Sequence, residues 1–175
     1  FYTLTPKFLL RYAPGHMRSM RSIDRGRLSY ENLFNLSKVN EFDIIENGLS
    51  TSIGFQYKKN KLDKKNIIGD EILSFSAGQV ISAEENMDIP SSTSLDQRFS
   101  DIVGEAKYNI NNKLNLNYNF SIDQSYKDFN YNEIGANFNF EQAKFNLSYL
   151  QEKNHIGNQE FVQSGIDYQF NNSTK

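Results

Sequence analysis

The side chains best suited to chemistry are gathered in one stretch, RYAPGHMRSMRSIDRGR, which sets Arg11, Arg18, Arg21, Arg25 and Arg27 against a single acid, Asp24. A guanidinium fork binds phosphate in bidentate fashion and stays charged at any physiological pH. Arg18, Arg21, Arg25 and Arg27 are therefore candidate contacts to the phosphate groups of a ligand. The competing reading is a solvated loop whose cations pair with Glu31, Glu41, Asp43 and Glu46 just downstream. A second basic run, Lys58, Lys59, Lys61, Lys64 and Lys65, divides in the same way between a partner surface and a solvated turn.

Other chemistries find little support. His16 and His155 are far apart, and Ser164 follows His155 with no third partner at a useful spacing, so a Ser-His hydrolase is not expected. Glu41, Asp43 and Glu46 lack a calcium-loop pattern, so no metal is expected there. With no cysteine, disulfides, thiolate catalysis and cysteine zinc sites are excluded. A net charge of -2 gives none of the basic footprint of a nucleic-acid binder. The expectation is a protein that is not an enzyme and carries no cofactor.

The elements that must position these residues are strands. The 175 residues suffice for one domain; only 38% are hydrophobic, yet 14% are aromatic, with no Trp. No apolar run reaches the roughly 18 residues a membrane helix needs, a requirement that membrane barrels escape because only alternate residues face lipid. Period-two alternation bounded by turn residues predicts eight strands, near 1–13, 48–58, 71–83, 101–110, 113–123, 129–140, 143–151 and 160–170. In the fifth, Leu114, Leu116, Tyr118, Phe120 and Ile122 oppose Asn115, Asn117, Asn119 and Ser121; in the sixth, Ile134, Ala136 and Phe138 oppose Asn137 and Asn139. Connections after odd strands are long, above all 14–47 and 84–100, whereas those after even strands are short, apart from the Lys-rich 59–70.

In an antiparallel up-and-down meander this parity gathers the long loops at one end, the arrangement of an outer-membrane barrel. Tyr12, Tyr57, Tyr108, Phe140, Tyr149 and Phe170 near strand ends suit aromatic girdles. Alternation alone leaves a second architecture open: a small lipocalin-like or eight-stranded barrel that binds an apolar ligand. The two differ in which face meets water. The membrane reading puts Asn115, Asn117, Asn137 and Asn139 in a wet lumen.

Three motifs bear on the choice. DRGRLSYENLFNLSKVNEFDIIENGLSTSIGFQY carries Asn32, Leu33, Phe34, Asp43, Glu46 and Gly48; LSFSAGQVI carries Gly78 and Gln79; RFSDIVGEAKY carries Ser100, Asp101, Val103 and Gly104. In this order and at this spacing they resemble the lipopolysaccharide-assembly outer-membrane protein family, LptD, also called OstA or Imp. The resemblance implies a segment of a Gram-negative outer-membrane translocon that inserts lipopolysaccharide (LPS) into the outer leaflet. It also implies an LptE-type lipoprotein plug as partner, and periplasmic LPS-bridge proteins acting through a jellyroll domain. That domain and the family's cysteines have no counterpart here, so residues 1–175 are expected to be part of a larger barrel domain, an internal fragment lacking the gate strands. Lys38 stands where the family often has Arg, and Phe42-Asp43-Ile44-Ile45 replaces a commoner Gly-Tyr-Asp-Arg run. The bland reading of the first motif is that Leu33, Phe34 and Leu36 anchor the loop on the barrel rim.

Overall fold

The computed structural model of the chain describes residues 1–15, 26–38, 46–62, 67–111, 113–153 and 157–169. They form one antiparallel sheet of eight strands in sequence order: β1 (Tyr2–Ala13), β2 (Gly48–Leu62), β3 (Ile68–Ser82), β4 (Ile102–Asn111), β5 (Leu114–Ile122), β6 (Phe129–Asn139), β7 (Ala143–Glu152) and β8 (Gln159–Tyr168). The sheet is not closed; β1 and β8 are its edges among the described residues. Each strand carries the alternation expected of it, and the ladder register keeps like with like. Leu116 pairs with Tyr108 and Ala136, and Asn117 with Lys107 and Gly135. A slip of one residue would exchange every apolar side chain for an amide, which is why the register is well specified.

The Lys-rich connection is shorter than the sequence predicts. β2 runs on to Leu62, which pairs with Ile68 across a register shift, and Lys58 Nζ lies 3.2 Å from Glu71 Oε2. Alternating Lys residues can continue a strand when one face meets water and the other meets a carboxylate, so the ladder consumes most of what reads as turn. Every connection after an even strand is therefore short. Opposite them, β5 and β6 are joined by a compact turn in which Asp123 accepts from the Ser125 backbone at 3.0 Å and Tyr126 adopts φ 58°.

The long loops 14–47 and 83–101 are not spread over the rim. Where described, they fold back onto one face of the sheet and build a small apolar core there: Leu28, Tyr30 and Leu33 from the first, Ile89 and Leu95 from the second, and Val80 and Val103 from β3 and β4. The strands' apolar face stays bare. Phe8 is 68% exposed, Leu4 66%, Val162 73% and Ile166 72%. Across it Phe55, Phe75, Phe120 and Tyr118 form a ladder of rings with centroids 5.6 to 6.2 Å apart. The molecule thus has two faces: an apolar one open on β1 to β8, and a polar one partly roofed by its own loops.

Candidate functional site

The loop-covered face is built around a slot of missing side chains. Gly54 of β2 and Gly78 of β3 pair directly, and Leu33 and Phe34 settle on them. A Cβ on Gly78 would meet Leu33 Cδ2 and sit 2.6 Å from the Ile53 carbonyl oxygen; one on Gly54 would be 3.1 Å from Phe34 Cζ. The Asn-Leu-Phe and Gly-Gln motifs are therefore two halves of one contact. Leu33 is wholly buried, but Leu36 is 71% exposed and anchors nothing. The anchor lies on the strand face at Gly54 and Gly78. Asn32 holds the turn closed, accepting from the Ser29 N–H at 2.9 Å and donating to the Arg27 carbonyl at 3.1 Å.

The third motif fastens the second loop. Gln79 Nε2 donates to the Ser100 carbonyl at 2.7 Å, and Ser100 Oγ accepts from the Val80 N–H at 2.9 Å. Asp101 gathers Ser121 Oγ at 2.7 Å and Asn130 Nδ2 at 2.8 Å. Burial raises its carboxyl above the ordinary range, against the pull of those two donors. Val103 enters the core, while Gly104, on the bare face, makes room for the Phe120 ring.

Two ion-pair clusters bind the first loop's ends. At its roots, Arg11 from β1 and Glu46 are buried together, with Nη1 to Oε2 at 3.2 Å, and Arg11 Nη2 also donates to the Glu46 carbonyl. Glu46 Oε1 accepts from the Lys38 N–H at 2.8 Å. Lys38 is buried beside them, and burial lowers its pKa while Glu46 opposes that shift. The chain then enters β2 through Gly48 at φ 95°. On the far side, Arg27 crosses to Glu152 at the end of β7 and lies 4.0 Å over the Tyr131 ring of β6. Tyr131 donates to Glu133 Oε2 at 3.0 Å, which also accepts from Asn119 at 2.8 Å. Desolvation lowers the Arg27 pKa, Glu152 opposes that shift without cancelling it, and Arg27 Nη1 is buried with no hydrogen-bond partner.

Of the candidate phosphate contacts, only Arg27 is described, and it is engaged by Glu152; Arg18, Arg21 and Arg25 lie outside the described residues, as do Asp43, Glu41, His16 and His155. The basic run also divides. Arg11 on β1 pairs with Glu46, one of the acids downstream, but the pair is buried and not solvated, and Arg27 pairs with a residue 125 positions away. Sequence reasoning missed Glu152 and Tyr131. Their signal was parity: both stand on the Asn row's face, Tyr131 pairing with Ser121 on one side and with Glu152 on the other. Asn115, Asn117 and Asn119 share that face with Val103, and Asn137 pairs with Asn115. Between this wall and the first loop lies a cavity of about 610 Å³.

A one-sheet meander with a bare apolar face, a polar face tucked under long loops and short turns at the other end is the architecture of an outer-membrane β-barrel wall. No helix among the described residues is long and apolar enough to cross a membrane, which leaves that assignment untouched. Within this class, the family model LptD, LPS transport system D, matches residues 1–174, and the chain belongs to that family. It is a family of LPS transport and assembly at the outer membrane, and its members are not known as enzymes. No curated protein matches the chain in sequence.

Proposed function

We propose that this chain forms a section of the translocon wall through which LPS reaches the outer leaflet. The observation that carries the reading is the orientation of the two faces. The loops pack against the Ser, Asn and Gly side of the sheet, and the apolar side is left open. In a soluble cup for an apolar ligand the apolar side would be the enclosed one. Here the bare face meets lipid tails and the Asn row faces the lumen. An unclosed sheet also leaves backbone donors and acceptors that hydrocarbon cannot satisfy, so further strands must pair with β1 and β8.

On this reading the mechanism is physical. The polar face, with Asn115, Asn117, Asn137 and Asn139, hydrates the saccharide part of the cargo while its acyl chains leave sideways between the barrel's first and last strands. The first loop is a tethered roof over that path, and Arg18, Arg21 and Arg25 are the part of it that meets lipid phosphates. An LptE-type lipoprotein fills lumen that the loops leave open, and periplasmic bridge proteins deliver the cargo. Depleting the full-length protein in its host should remove newly made LPS from the cell surface, measured by labelling the outer leaflet. Undiminished surface LPS after depletion refutes the proposal, as does a full-length protein that stays monomeric without detergent.

A further inference from the structure

The bare face carries a polar line that runs at a slant to the ladders. One row of directly paired residues starts at Pro6 and Phe55, passes Gly104 and Phe120, and ends at Gln151 and Glu160. Up to Phe120 the row is apolar; from Asn132 onward it is polar, and its polar groups are joined. Tyr118 Oη donates to Asn132 Oδ1 at 2.7 Å, Asn132 Nδ2 to Gln151 Oε1 at 3.5 Å, and Gln151 Nε2 to Glu160 Oε1 at 3.0 Å. Glu160 is exposed, and desolvation keeps an ionised carboxylate out of hydrocarbon. Val162, the next residue on the same face, is apolar and 73% exposed. The stagger of the strands accounts for the change. Phe55 lies seven residues from the long-loop end of β2, whereas Gln151 and Glu160 each lie one residue from theirs. At about 3.4 Å per residue the row therefore climbs about 20 Å towards those ends while crossing about 30 Å of sheet. That is a slant of about 35°, the tilt of strands in a membrane barrel. Thr51, Gln79 and Asn132 stand on the bare face three residues from the long-loop ends of β2, β3 and β6, and with Gln151 and Glu160 they trace a line along those ends. The short-turn side shows the mirror case. A row that is apolar from Leu73 through Leu116 to Leu147 begins on β2 at Lys59, whose Nζ lies 5.6 Å over the Tyr2 ring; Tyr2 in turn stacks on Tyr57. A lysine stem laid against tyrosines is the chemistry of a membrane–water interface.

Given that the bare face meets lipid tails, as proposed above, we infer that the lipid headgroups on the long-loop side contact this wall along a line through Thr51, Gln79, Asn132, Gln151 and Glu160. The opposite headgroup layer contacts it at Tyr2 and Lys59, where the ammonium suits a phospholipid phosphate. Tyr118 bridges the first boundary, with its ring among the tails and its hydroxyl on Asn132. A patch for a protein partner has no reason to follow the strand ends from β2 to β8; a flat headgroup layer meeting tilted strands must do so.

Nitroxide labels on the full-length protein in phospholipid vesicles test the line, by comparing collisions with oxygen, which concentrates among lipid tails, and with a nickel chelate confined to water. The labels go on singly through Phe55→Cys, Lys59→Cys, Leu147→Cys, Glu160→Cys and Val162→Cys, each checked for folded gel mobility; Ile53→Cys replaces Phe55→Cys should the latter not fold. Phe55 and Glu160 share one ladder row, yet the oxygen-to-nickel ratio should be about fivefold or more higher at Phe55, because hydrocarbon excludes water. Leu147 should exceed Lys59, its partner in the second row, by a similar factor, and Val162 should exceed Glu160. Equal ratios within either row overturn the inference, as does a Glu160 label shielded from both reagents, which would mean a protein partner at that line. The same labels separate this inference from the wall proposal. Oxygen preference at Phe55, Leu147, Val162 and Glu160 alike defeats the line alone; nickel preference at Phe55, Leu147 and Val162 means that the bare face meets water, and defeats the wall itself.

Discussion

Leu33→Ala removes the side chain that fills the slot over Gly78, and the structure sets the scale of the effect. Leu33 is fully buried, and burial of a leucine contributes about 1.5–3 kcal/mol. Truncation adds the cost of the void, for a usual total of about 2–5 kcal/mol. Two walls of this slot are the backbones of Gly54 and Gly78, held apart by the β2–β3 ladder and unable to collapse inward, so the cost belongs in the upper part, about 3–5 kcal/mol. At about 1.4 kcal/mol per tenfold, the undocked loop should gain two to three and a half powers of ten in population, up to full undocking. Trypsin cleavage after the buried Lys38 in the full-length membrane protein reads that population when undocking is fast. The barrel itself should keep its folded gel mobility, because the ladders do not pass through Leu33. Gly78→Ala attacks the same contact from the sheet and should cost about 1–3 kcal/mol by overpacking. Combined with Leu33→Ala, it should cost less than the sum, since one of its two clashes is gone, but not nothing, since the Ile53 carbonyl remains 2.6 Å from the new methyl. Lys38 cleavage within threefold of wild type in Leu33→Ala, or strict additivity of the pair, refutes the slot.

The ion pairs make separate predictions. Arg27→Gln should weaken docking by about 1.5–3 kcal/mol, the scale of a charge-assisted bond; the coupling should vanish in Glu152→Gln, as a double-mutant cycle on Lys38 cleavage would show. Arg11→Met leaves Glu46 buried without its cation and should cost about 3–5 kcal/mol, whereas Arg11→Met/Glu46→Leu should recover much of it, judged by detergent-solubilised thermal unfolding. The raised Asp101 carboxyl gives a pH dependence of known sign. The folded state binds that proton more tightly than the unfolded one, so its contribution favours the fold at low pH and fades as pH rises from about 3.9 through the higher folded value. Asp101→Asn keeps an acceptor for Ser121 and Asn130 and should flatten that part of a melting curve series run between pH 3.5 and 7. A steeper dependence in the variant would contradict the assignment of burial as the cause.

Strand number, strand order and the split into an apolar and an amide face were legible in the sequence because each is a local matter. A period of two writes the face into consecutive residues, as in Leu116-Asn117-Tyr118-Asn119, and turn lengths write the meander. The motif residues were legible as a set but not as a mechanism. That Leu33 rests on Gly78, that Ser100 and Gln79 tie the second loop to β3, and that Arg27 finds Glu152 all depend on which strands stand side by side and on which face the loops fall. Alternation cannot say which face that is, since a ribbon read backwards through the sheet has the same pattern. The tertiary structure decided it by packing: two glycines facing each other make a recess on the polar side, and the loops' own leucines have nowhere else to leave water.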